Sequence, residues 1–119
     1  MEEALVGDVS MAQRTDLDTI EKTLKKYAQS LKGAGVGVER LLVYGSFAKG
    51  TSKEHSDIDV CVVSPKFGGD ETSEMVRLNT LAHRIDPRIE AIPYSPKDLA
   101  VEEDPLAHEI MKYGREIKI

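Results

Sequence analysis

Val43-Tyr44-Gly45-Ser46-Phe47-Ala48-Lys49-Gly50-Thr51-Ser52-Lys53-Glu54-His55-Ser56-Asp57-Ile58-Asp59-Val60 is the stretch from which the rest of the chain can be read. It opens as the end of an apolar run, Leu41-Leu42-Val43-Tyr44, which predicts a buried strand. Gly45-Ser46 breaks that strand, and the residues after it can open a helix whose free N–H groups suit an anion. After a polar loop, Asp57 and Asp59 stand at the head of a second apolar run, Val60-Cys61-Val62-Val63. Alternate strand residues share a face, which puts the two carboxylates on one side with Cα atoms roughly 6.5–7 Å apart. Such a pair suits hard divalent cations that take oxygen ligands, and the anion site beside it suits phosphate. The two features together predict a nucleotide–metal site.

Gly45-Ser46, Gly50 and Ser56-Asp57-Ile58-Asp59 resemble the signature of the DNA polymerase β-like nucleotidyltransferase superfamily: Gly-Ser, three residues, Gly, then Asp-x-Asp. The short chain resembles the minimal nucleotidyltransferase branch. Each of these residue types makes up ~5–7% of ordinary sequence, so five in fixed register arise by chance in about one chain in ten thousand. A bare Gly-Ser or Asp-x-Asp would carry little; the combination, bracketed by two strand-like runs, carries the resemblance. It covers about residues 38–93, and beyond them the similarity is one of element order.

The resemblance implies a metal-dependent adenylyltransferase that moves AMP from ATP to a hydroxyl, with Mg²⁺ or Mn²⁺ as cofactor. It implies that Asp57 and Asp59 are catalytic metal ligands, completed by a third acid on a neighbouring strand that helps deprotonate the acceptor. Glu90, within Arg88-Ile89-Glu90-Ala91-Ile92, is the candidate for that third position. Asp86 is the runner-up, although Asp86-Pro87 places it in a turn. The plain alternative for Glu90 is a surface ion pair with Arg88. Ser46 and the nearby backbone are expected to hold the β- and γ-phosphates. Gly45 admits close approach of the backbone, Gly50 permits the turn, and Ser56 and Lys49 complete the nucleotide-binding set.

Two departures matter. Phe47 stands where many relatives carry an arginine, so a cation on the triphosphate is missing or comes from Lys49 or Lys53, both equally at home in solvent. Glu90 is longer than the aspartate of many relatives. His55 is read as a bystander, and His83 and His108 as helix-surface residues. The minimal branch also lacks the helical acceptor domain of its larger relatives. The resemblance therefore implies a partner as acceptor platform, a HEPN-type helical protein that in some pairs is a ribonuclease toxin, with this chain as antitoxin. A homodimer stays open. So does a non-catalytic antitoxin or nucleotide sensor with a vestigial site.

Composition agrees. A chain of 119 residues is long enough for one core, and residues 15–119 are expected to form a single domain after a loose tail over 1–14. A formal net charge of -5 argues against general nucleic-acid binding. The single cysteine, Cys61, excludes an internal disulfide and lies in an apolar run, which predicts a buried thiol in a reducing compartment. No apolar stretch approaches the ~20 residues of a membrane span, and the N-terminus has no signal pattern. The expectation is a cytoplasmic protein.

Around the motif the pattern predicts an α/β (α+β) fold, a small mixed sheet with helices on one side. Thr15 and Asp18 predict a helix start, and Leu17, Ile20, Leu24, Tyr27, Ala28 and Leu31 share one face up to Gly33-Ala34-Gly35. Strands are expected at 36–44, 58–63 and 88–92. Asp70 or Thr72 caps a helix that buries Met75, Leu78, Leu81, Ala82 and Ile85. A capped turn follows at Ser95-Pro96, then a last helix from Asp104-Pro105 to Gly114 and a short edge strand after it.

Overall fold

A computed structural model describes residues 2–50 and 56–119, with 2–17 described as helical backbone alone. Helix α1 (Glu2–Gly33) carries the predicted stripe, and Ile20, Leu24, Tyr27, Ala28 and Leu31 are buried along it. It begins at Glu2 rather than at Thr15, so residues 2–14, expected as a tail, have helical backbone. A capping residue marks a start only where the preceding residues resist the helix. Glu2-Glu3-Ala4-Leu5 do not, and the first proline of the chain is Pro65.

The remaining elements are β1 (Arg40–Tyr44), α2 (Ser46–Lys49), β2 (Ile58–Val63), α3 (Glu71–Ile85), β3 (Ile89–Tyr94), α4 (Pro96–Leu99), α5 (Pro105–Tyr113) and β4 (Arg115–Glu116). The helix starts after the motif are fixed by side-chain caps. Asp70 accepts from the Ser73 N–H, Ser95 from the Asp98 N–H, and Asp104 from the N–H groups of Leu106 and Ala107. Proline follows the cap in α4 and α5, where its fixed φ suits the first turn.

The four strands form one mixed sheet in the order β3-β2-β1-β4. β1 runs antiparallel to β2 and to β4, while β2 and β3 are parallel and joined through α3. Leu41, Val43, Ile58, Val60, Val62, Ile89 and Ala91 turn one sheet face toward α1 and α3, forming the main core. Tyr27, deep in that core, donates its hydroxyl to the Leu78 carbonyl at 2.9 Å. The opposite face carries Leu42, Cys61, Val63 and Tyr94, and it is covered in part by Leu99, Ala107 and Ile110 of α4 and α5. The long helices thus lie on one side, as predicted, and two short ones add a partial cover on the other. That cover stops short of the sheet end where β1 finishes and β2 begins. Tyr44, Asp59 and Glu90 lie there, one on each of three adjacent strands.

Candidate active site

Register places the three residues in a row: Tyr44 pairs with Asp59 across the antiparallel β1–β2 ladder, and Asp59 pairs with Glu90 across the parallel β2–β3 ladder. Neighbouring strands lie about 4.8 Å apart, and all three residues are on the face opposite α1 and α3. Asp57 stands one residue before β2. Asp57 and Glu90 are exposed, and Asp59 is half-buried.

Gly45 closes over this row. It leads from β1 into α2 with φ 73 and ψ -147, a conformation that only glycine takes readily. A Cβ built at Gly45 would fall on the Asp59 carboxylate oxygen Oδ2. The glycine therefore makes room for the Asp59 carboxylate itself. Ser46 opens α2, Gly50 closes it in the left-handed region with φ 75, and Ser56 lies half-buried just before Asp57. Phe47 is buried with the main core, so its ring packs inward and does not stand in for an arginine at the surface. Lys53 and His55 lie outside the described residues.

The electrostatics are one-sided. Burial, followed by the charges of Glu90, Asp57 and Glu109, holds the Asp59 carboxyl above its ordinary range. The three charged groups acting on it are all carboxylates. Burial also raises the Tyr44 phenol, with Asp59, Cys61, Glu90 and Glu109 adding to it, so Tyr44 keeps its proton and remains a donor beside the row. Glu109 and Tyr44 escape sequence reasoning because neither belongs to the motif; the only hint for Tyr44 is that it immediately precedes Gly45.

Lys49, expected on the nucleotide, is engaged elsewhere: its Nζ donates to Glu109 Oε1 at 2.9 Å and lies 5.1 Å from the centre of the Tyr113 ring. Asp86, the runner-up acid, binds Arg88 through both oxygens, at 2.9 and 3.2 Å. That hydrogen-bonded guanidinium holds the Asp86 carboxyl below its usual range. The Arg88 fork thus points to Asp86. His83 places Nε2 3.0 Å from the Ile89 carbonyl, a structural contact. A cavity of about 390 Å³ opens beside Glu90, between β3 and α3, with Tyr44, Met75, Asn79, His83 and Ile92 around it.

The donor set fits a hard divalent cation in chemistry: carboxylates side by side at one end of the sheet, mutually repelling, with that of Asp59 close against a glycine. The side chains are adjacent rather than converged. Among the described residues no group of three His, Cys, Asp or Glu side chains is already arranged to hold a metal ion.

The model of the nucleotidyltransferase domain family matches residues 21–114, from mid-α1 through α5 and including the whole acidic row. The chain belongs to that family. Nucleotidyltransferases of the polymerase β-like fold are also found among solved structures similar to this one. The crystal structure of a toxin–antitoxin with AMP-PNP superposes with a TM-score of 0.60 at 19% identity, covering 82% of this chain and 72% of that one. A candidate nucleotidyltransferase from Sulfolobus solfataricus, solved at 1.40 Å, superposes with a TM-score of 0.58 at 16% identity, covering 91% of this chain and 84% of that one. At such identities the likeness is one of fold. No curated protein sequence matches the chain. No helix among the described residues is long and apolar enough to cross a membrane.

Proposed function

We propose that this nucleotidyltransferase domain is a metal-dependent adenylyltransferase that moves AMP from ATP to a hydroxyl acceptor. The observation that carries the reading is the register pairing of Asp59 with Glu90, beside Asp57 and with the Asp59 carboxylate close against Gly45. Asp57, Asp59 and Glu90 would hold Mg²⁺ or Mn²⁺, which when bound offsets the negative charge gathering on the phosphates in transfer. Ser46, Ser56, Lys49 and the backbone from Gly45 to Gly50 orient the triphosphate. Glu90 takes the proton of the acceptor hydroxyl. The acceptor oxygen forms a bond to the α-phosphorus, the bond from that phosphorus to the bridging oxygen breaks, and pyrophosphate leaves with the electron pair. Tyr44, held protonated, can donate to an oxygen that gains charge.

The acceptor is proposed to sit on a HEPN-type helical partner, this chain acting as antitoxin in the cytoplasm, where ATP is at hand. The structure solved with AMP-PNP, a toxin–antitoxin of the same fold, supports that reading. One observation favours the second reading, a non-catalytic antitoxin or nucleotide sensor: Lys49, the cation of the motif among the described residues, is bound to Glu109. Incubating the co-purified partner with ATP labelled at the α-phosphate separates the two. Magnesium-dependent transfer of label that disappears in Asp57→Asn/Asp59→Asn supports catalysis; absence of label with ATP still bound selects the binding module.

A further inference from the structure

Lys49 is the last residue of α2, and it is tied to the C-terminal segment of the domain at two points. Glu109, in the middle of α5, accepts from its ammonium at 2.9 Å, and Tyr113, one turn further on, presents its ring 5.1 Å away. The same segment reaches α2 again where Arg115 Nε donates to the Ala48 carbonyl at 3.3 Å. Glu109 also acts on Asp59 and Tyr44 through its charge. One carboxylate therefore touches the cation of the motif among the described residues and adds to the negative field on Asp59.

We propose that Glu109 is a positioning residue of the nucleotide site, holding Lys49 at the end of α2 and surrendering it to the polyphosphate of an incoming nucleotide. This rests on the reading of Lys49 as a nucleotide contact. The exchange has a physical basis in the two anions. The Lys49 and Glu109 side chains are 39% and 35% exposed, which leaves their pairing screened and weak. A triphosphate carries several charges and offers the ammonium more than one acceptor, so it wins Lys49. Breaking the Lys49–Glu109 contact is nonetheless part of the cost of binding. α5 in this way lowers the affinity of a site that it does not otherwise enter.

The test is the affinity of the full chain for ATP and for AMP, measured calorimetrically with magnesium, in the parent, Glu109→Gln, Lys49→Met and the double variant. Glu109→Gln should tighten ATP by about two- to fivefold, the factor held by an exposed ion pair. Lys49→Met should weaken ATP about tenfold or more, as loss of a charged hydrogen bond does. In the double variant the gain from Glu109→Gln should vanish. AMP should respond much less, giving an ATP-to-AMP ratio that a general loosening of α5 would not move. Glu109→Asp, which draws the carboxylate back from Lys49, should also tighten ATP and serves if Glu109→Gln folds poorly. Unchanged or weakened ATP binding in Glu109→Gln, or equal shifts for ATP and AMP, overturns the role of Glu109 while leaving the nucleotidyltransferase reading in place. No ATP binding by the parent overturns both.

Discussion

The Asn79 side-chain amide and the Ala91 main chain exchange two hydrogen bonds: the Ala91 N–H donates to Oδ1 at 2.8 Å, and Nδ2 donates to the Ala91 carbonyl at 2.9 Å. α3 thereby supplies a mock strand partner along the outer edge of β3. Two residues earlier, the Ile89 N–H donates to the Asp86 carbonyl at 3.1 Å, and the Ile89 carbonyl meets His83. Two residues later, Pro93 has no N–H to offer. An edge strand left open invites pairing with another chain, and this one is closed along the length that carries Glu90.

Asn79→Ala leaves both Ala91 backbone groups without their partner and should destabilise the domain by about 2 kcal/mol, the scale of unmet buried hydrogen bonds. Urea unfolding measures it. A loss under about 0.5 kcal/mol would show that water replaces the amide at no net cost.

Gly45 and Gly50 both have positive φ, yet they should answer differently to alanine. At Gly50 a Cβ meets nothing within 4 Å among the described residues, so Gly50→Ala should cost only the backbone strain, about 1–2 kcal/mol. At Gly45 the strain is joined by collision with Asp59. Gly45→Ala should therefore cost more stability than Gly50→Ala and also weaken ATP binding, and Gly45→Val should do worse. Paired thermal melts and ATP titrations decide; equal ATP affinity in parent and Gly45→Val removes the argument that the close approach of Gly45 to Asp59 serves the nucleotide.

Asp59 gives a pH signature with a definite sign. Its folded carboxyl titrates above the ordinary value of 3.8, so in that window the folded chain holds a proton that the unfolded chain has released. Stability is then fully present below 3.8 and falls as pH rises through the raised value. In EDTA at neutral pH, Asp59→Asn should be more stable than the parent, by on the order of 0.5 kcal/mol after screening of a half-exposed charge. The difference should close in acid. With magnesium and ATP the order should reverse. A parent more stable than Asp59→Asn in EDTA at pH 7 contradicts the repulsion assigned to this row.

Glu90→Gln separates binding from chemistry. It keeps the side-chain shape and removes the proton acceptor, so ATP affinity should fall modestly and single-turnover transfer by roughly 10²–10⁴-fold. Both are measured on the same variant. Unchanged transfer removes Glu90 from the proposed mechanism, and Asp86, committed to Arg88, becomes the next acid to substitute.

Much of this was legible in the residues. Ile58–Val63 stands where its apolar run predicts, and Asp70, Ser95 and Asp104 cap helices as their positions suggest. These signals are local, and nothing in the tertiary structure opposes them. The partial second cover was harder to see. A continuous run such as Val60-Cys61-Val62-Val63 implies burial on both faces, but a helix as short as α4 shows little periodicity with which to claim one of them. In the candidate site, the motif marked Gly45, Asp57 and Asp59 and a strand of alternating character marked Glu90, and the sheet register sets Asp59 beside Glu90. Glu109 was out of reach. It lies far along the chain from Lys49, and one acid on an exposed helix face looks like any other until the fold brings it to α2.

Cys61 offers a practical consequence. Its side chain is fully buried in the middle of β2, burial pushes its thiol up to about 12, and it is the only cysteine in the chain. A maleimide reacts with thiolate, so the native protein should take up no label at neutral pH, as intact mass can verify. The molecule is thus already silent toward thiol reagents. A cysteine introduced at an exposed position such as Lys112 can carry a fluorophore or spin label with no background to subtract and no core residue to replace.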